Sequence, residues 1–222
     1  MAVVTFDNAA LTAGPVSSNT KAVLLTVTTN AVLVVATHSN EANSMSAVVA
    51  GGVACTRLGK IVAGTGSTEL WGLTAPAAGT LTISAAVTGN NPATFALAAA
   101  SYTGKRTTGI GPFGGVVGIS AAGALNANIT VSSETDDMVF VAWGVSANAT
   151  VTLSLNQTAR ANATHSTTGR LVLGDATGLP LLGLSATSSG LGDWAVVGVN
   201  LLASLSAAPA TTFNLAMTGC GR

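Results

Sequence analysis

The chain has 222 residues, and only 7% of them are charged, eight basic side chains balancing eight acidic ones. An average soluble domain carries roughly 25% charged residues, so here Thr, Ser, Asn, Ala and Gly must supply most of the surface. Phosphate binding needs clustered Lys and Arg, and the only adjacent basic pair is Lys105-Arg106, which excludes nucleic acid as an expected partner.

Residues 1–21 carry scattered apolar side chains (Val3, Val4, Phe6, Leu11) without clean alternation and are expected to form an arm. The opening "MAVVTFDNAALTAG" has no basic n-region and no long apolar h-region, so it does not read as a secretory signal. "AVLLTVTT" (22–29) and "AVLVVATH" (31–38) are β-branched runs separated by Asn30. "SAVVAGGVACTRLG" (46–59) reads as two short strands about Gly51-Gly52, a hairpin signal. In "STELWGLTA" (67–75), Leu70 and Gly72 fall on one face, and Trp71 and Leu73 on the other. "APAAG" then supplies a turn before "GTLTISAAVTG", where Leu81, Ile83, Ala85 and Val87 alternate with Thr80, Thr82, Ser84 and Ala86. Period two over that length is a half-buried strand, because a helix would mix the two sets around its circumference.

"TFALAAASYTG" (94–104), "ANITVSS" (127–133), "DMVFVAWGVSA" (137–147), "ATVTLSLNQ" (149–157), "GRLVLGDA" (169–176) and "DWAVVGVNLLA" (193–203) continue the series. The Ala-rich pieces 95–100 and 121–127 leave room for no more than a turn of helix. Residues 205–222, with Phe213, Leu215 and Met217, again lack alternation and are expected as a second arm. The expected architecture is all-β, an antiparallel sandwich of about ten to twelve strands over residues 22–204, with irregular arms at both ends. One internal echo stands out: "LTVTTNAVLVVAT" (25–37) resembles "ITVSSETDDMVFVAW" (129–143). Thr-rich β sequence can produce such a match by composition alone. The alternative is that the two halves begin alike and contribute equivalent hairpins to facing sheets.

A mean hydropathy of +0.57 raises the question of a membrane. The uncharged run Thr107–Ser133 holds six Gly, a Pro and two Asn, and the run Trp194–Gly221 is broken by Asn200, Ser204, Ser206 and Pro209. Neither is a continuous apolar helix of about 20 residues. A transmembrane barrel would need aromatic girdles, and aromatics are 4% of the chain. No membrane partner is expected.

The inventory of reactive side chains is short. His38 and His165 are far apart in the chain and share no metal-ligand spacing with Cys55 and Cys220, which are expected as reduced thiols. No G-x-S-x-G elbow is present, and "GIGPFGG" (109–115) lacks the Lys-Ser/Thr ending of a phosphate loop, so it reads as a structural loop. "SSETDDM" (132–138) groups Glu134, Asp136 and Asp137 without the order of a calcium loop and reads as a solvated turn. No catalytic, cofactor-binding or metal residue is assigned, and an enzyme is not expected. Trp143 shares a face with Val139, Val141 and Val145 and is expected in the core. Trp71 and Trp194 are either core or part of a sugar-binding platform.

"VVAGGVACTRLG" (48–59), "ELWGLTAPAAGTLTISAAV" (69–87), "AAASYTG" (98–104), "SLNQTAR" (154–160) and "GDWAVVGVNLLAS" (192–204) occur in an order that resembles a family of jelly-roll β-sandwich domains. That family is related in architecture to the concanavalin and laminin-G-like lectins and occurs in tailed-phage structural proteins and bacterial surface proteins. Ala50 stands where the family carries a hairpin Tyr, and Gly72 where it carries the second aromatic of a Trp-Tyr pair, which weakens any carry-over of a ligand surface there. The resemblance implies a virion structural protein, assembled in the host cytoplasm, that decorates the head as a cement protein or head fibre. Its implied partners are the major capsid protein, other virion proteins and copies of itself, most simply in a trimer. The alternative is a receptor- or carbohydrate-binding module of a tail or cell surface, which would take a surface glycan. Phe6, Leu11, Trp71, Trp194, Phe213 and Met217 are the candidate interaction residues. No cofactor is implied.

Overall fold

In a computed structural model of the chain, residues 3–12, 19–39, 45–88, 94–106, 111–147, 149–166 and 169–204 are described. They form fifteen β-strands and no helix. The first half supplies β1 (Thr5–Thr12), β2 (Thr20–Val27), β3 (Val32–Ser39), β4 (Met45–Ala50), β5 (Val53–Ala54), β6 (Thr56–Ala63), β7 (Gly66–Leu73), β8 (Gly79–Val87) and β9 (Phe95–Thr103). The second supplies β10 (Phe113–Val131), β11 (Met138–Ser146), β12 (Val151–Leu153), β13 (Thr158–Ser166), β14 (Gly169–Thr177) and β15 (Leu182–Leu201).

The count exceeds the expected ten to twelve for identifiable reasons. β1 and β13 are edge strands without clean alternation, and one expected run is divided into β5 and β6. Residues 5–12, expected within an arm, instead pair along β9 from Thr5↔Thr103 to Thr12↔Leu97. The Ala-rich pieces lie in β9 and β10 and are extended. Within "GIGPFGG", Phe113 to Gly115 already belong to β10. Residues 205–222, with Phe213 and Met217, lie outside the described residues.

Each half makes the same pattern. The first has an inner sheet in the order β1-β9-β3-β7-β6 and an outer sheet in the order β2-β8-β4-β5. The second has an inner order of β10-β15-β11-β14-β13, with β12 paired to β15. Strands β10 and β15 are long enough to serve both layers. Phe113 to Ala121 pair with Leu201 to Trp194 in the inner sheet, and Asn126 to Val131 pair with Thr187 to Leu182 farther out. Register shifts around Ala124 mark where the ribbon bends over the sheet. The distal ribbon and β12 thus match β2, β8 and β4. The two echo segments hold equivalent places, β2–β3 and distal β10–β11 each passing from an outer layer to an inner one without pairing as a hairpin.

Three cores separate four layers. Leu25, Ile83 and Leu33 belong to the core between the first outer and inner sheets. Val34, Ala98, Phe140, Leu173 and Val199 fill the space between the two inner sheets. Ile129, Leu184, Trp143 and Val196 lie under the distal ribbon. The inner strands are therefore buried on both faces and read as unbroken apolar runs, such as β3. β8 alternates as expected because one face meets solvent. At the β4–β5 hairpin, Gly51 and Gly52 have φ of 56° and 85°, the two positive angles that a mirror-image two-residue turn requires.

Candidate functional site

Polar side chains gather at both ends of the space between the inner sheets. At one end β3 presents His38 and β13 presents His165, with ring centroids 5.2 Å apart and edge to face. Thr68 of β7 donates its hydroxyl proton to the Ala195 carbonyl at 2.7 Å, which leaves its oxygen to accept from His38 Nδ1 at 2.9 Å. The proton of His38 therefore sits on Nδ1, and His38 Nε2 and both His165 nitrogens are buried without a partner among the described residues. Burial pulls His38 down to about 4, against the opposing Ser67 and Val145 backbones. Burial pulls His165 down to about 3, reinforced by His38 and by the Lys21 charge. Both rings are neutral at pH 7. Gly144 of β11 permits this packing, because a Cβ there would overlap Thr68 Oγ1 and the His38 ring.

At the other end, Asp175 Oδ2 of β14 accepts from Tyr102 Oη at 2.9 Å and Arg160 Nε at 2.7 Å. The Arg160 guanidinium lies 3.8 Å from the Phe6 ring centroid, and Phe6 meets Tyr102 edge to face at 5.8 Å. β1, β9, β13 and β14 are tied together through this chain of contacts. Burial raises the Tyr102 hydroxyl well above its usual range, and Asp175 adds to the effect.

Asp137 does not behave as part of a solvated turn. It is buried, and its carboxylate accepts from Glu134 N at 3.0 Å, Asn200 Nδ2 at 2.8 Å and Ala203 N at 2.7 Å. It pins the β10–β11 turn to the end of β15. Glu69 is likewise buried. It accepts from Met45 N at 2.9 Å, and Arg57 and Lys60 each lie 3.8 Å from its carboxylate. Burial raises its pKa, while the Met45 amide and the two cations oppose the shift. Burial also pushes the Cys55 thiol up to about 11. Among the described residues no group of three or more His, Cys, Asp or Glu side chains is placed to hold a metal ion.

The candidate interaction residues do not converge. Trp71 lies in the core of the first sandwich and Trp194 in that of the second, where its indole donates to the Ala124 carbonyl at 3.0 Å. An exposed aromatic platform around either one is thereby overturned. Phe6 is spent against Tyr102 and Arg160, and Leu11 stays exposed on the edge strand β1. Trp143 is fully buried and meets Trp194 edge to face at 6.4 Å, as its shared face with Val139, Val141 and Val145 requires. The histidine pair, the Asp175 clamp and the role of Asp137 were missed, because each joins residues distant in the chain.

The exposed outer faces of the two sandwiches differ. On the first, cross-strand neighbours place Ala22, Leu24, Ala47 and Val49 outward together with Thr80, Thr82 and Ser84, and Val53 is exposed at the hairpin. Leu24 is 64% and Val53 54% exposed. On the second, Asn126, Asn128, Thr130, Thr152 and Thr187 face outward. No protein-family model, no curated protein and no solved structure matches the chain.

Proposed function

We propose that this chain is a virion structural protein of the tailed-phage type, decorating the head through the outer face of its first sandwich. The observation that carries the reading is the charge-free outer face on which Ala22, Leu24, Ala47 and Val49 stand beside the small hydroxyl side chains of Thr80, Thr82 and Ser84. A solvated β face would ordinarily carry Lys, Glu or Arg, whereas small and aliphatic side chains suit a broad interface. The strand order supports the fold half of the proposal. Counting eight strands in each half, with β5 and β6 as one, the inner sheets run one-eight-three-six-five and the outer sheets two-seven-four, an order that agrees with a jelly roll except that β6 and β13, strand five, extend the inner sheets. The partners under this reading are the major capsid protein and copies of the chain itself, three to an assembly.

The buried carboxylates fit the same reading, since the bonds that Asp137, Asp175 and Glu69 accept hold strands together. The test is electron microscopy of phage particles carrying a labelled copy. Label on the head lattice supports the proposal, and label confined to tails or to cell surfaces replaces it with the receptor-binding reading.

A further inference from the structure

We infer that the outer face of the second sandwich is a binding groove for a neutral glycan. Two clefts of about 390 Å³ and 230 Å³ lie side by side on it and share Ser154 and Ser185, so they form one continuous groove. The first is lined by Thr152 and Thr187, the second by Asn128 and Asn156. Every polar side chain lining the two clefts is a hydroxyl or an amide, and no Lys, Arg, Asp or Glu lines them. Uncharged donors and acceptors in a shallow groove suit a polyhydroxylated ligand and offer nothing to pair a sulfate, phosphate or carboxylate.

The floor of the groove is held from below. Buried Trp143 donates Nε1–H to Gln157 Oε1 at 3.1 Å, and Gln157 Nε2 donates to Ser154 Oγ and to the Ser185 carbonyl, both at 2.8 Å. Ser154 in turn donates to Asn156 Oδ1 at 2.6 Å. That chain fixes the central polar groups, while the side chains of Asn128, Thr152 and Thr187 make no hydrogen bond among the described residues and face the groove.

The molecule supplies its own control. Equivalent positions in the first sandwich carry Leu24 for Asn128, Ala22 for Asn126 and Val49 for Thr152. The central strand keeps hydroxyls on both faces, Thr82 and Ser84 standing for Ser185 and Thr187, so the two faces differ in their flanking strands, aliphatic on the first and amide or hydroxyl on the second. The two outer sheets are the outermost of four layers, so these faces point in opposite directions. If the outer face of the first sandwich seats the protein on a head, as proposed above, the groove points away from it; binding by the isolated chain does not depend on that seating.

The test is titration calorimetry of the whole chain with neutral oligosaccharides (maltoheptaose, cellohexaose, a mannan fragment) and with heparin and polysialic acid as anionic probes. Saturable binding of at least one neutral sugar is expected, weakened about ten-fold or more in Asn128→Leu/Thr152→Val, which installs the side chains of the equivalent face. Thr187→Ala, which adds no apolar bulk, should weaken the same sugar with the melting temperature unchanged, and it decides the matter if the double variant aggregates. Binding of none of the neutral sugars, a preference for the anionic probes, or neutral-sugar binding indifferent to Thr187→Ala would each overturn the inference.

Discussion

His38 and His165 refuse a proton in the folded state that they accept when unfolded near the usual value of about 6.5. Between pH 6.5 and about 4 the unfolded chain therefore binds more protons, and each histidine lowers stability on acidification by about 1.4 kcal/mol per pH unit. Glu69 acts in the opposite sense, because its raised pKa favours the folded state at low pH and costs stability as pH rises through it. The expected net result, two groups against one, is a loss of urea resistance on going from pH 7 to 4.5. His165→Phe should flatten that loss; an unchanged slope would mean the histidines are hydrated. Asp137 is the other sensitive residue. Asp137→Ala leaves two backbone amides and Asn200 without their acceptor and should cost about 3 kcal/mol or more in chemical denaturation, against under about 1 kcal/mol if the turn were solvated. Trp143→Ala should cost roughly 3–5 kcal/mol for the same kind of reason, a void where the ring now meets Trp194.

At the scale of elements, legibility followed exposure. β8 could be read residue by residue because solvent wets one face, and Gly51-Gly52 marked its own turn. β3, β7, β9 and β11 are covered on both sides, so their sequences identified them as strands without saying which face met which sheet. β1 escaped notice because an edge strand with mixed burial needs no clean period. The bend that carries β10 and β15 from one layer to the next is made by local register shifts that leave the residue pattern continuous. Gly72 has a structural cause: Phe113 of β10 packs where a side chain would stand. Gly72→Ala should destabilise by roughly 1–3 kcal/mol through overpacking, and recovery in Gly72→Ala/Phe113→Leu would show that the clash is the cause.

For the whole molecule, the shared core matters most. Val34, Ala98 and Tyr102 of the first sandwich are covered by Phe140, Leu173 and Val199 of the second, so residues 1–106 expressed alone should bind a hydrophobic dye and lose cooperative melting. With sixteen charges on 222 residues, association has little electrostatic opposition and little electrostatic help. The most direct test of the proposed head-decorating role is therefore titration of the purified protein onto phage heads that lack it, from low salt to about 1 M, where the Debye length falls to roughly 3 Å. The account of a charge-free docking face predicts an affinity nearly unchanged across that range and lost in Leu24→Asp. Dissociation as salt rises, or full binding by Leu24→Asp, would contradict it.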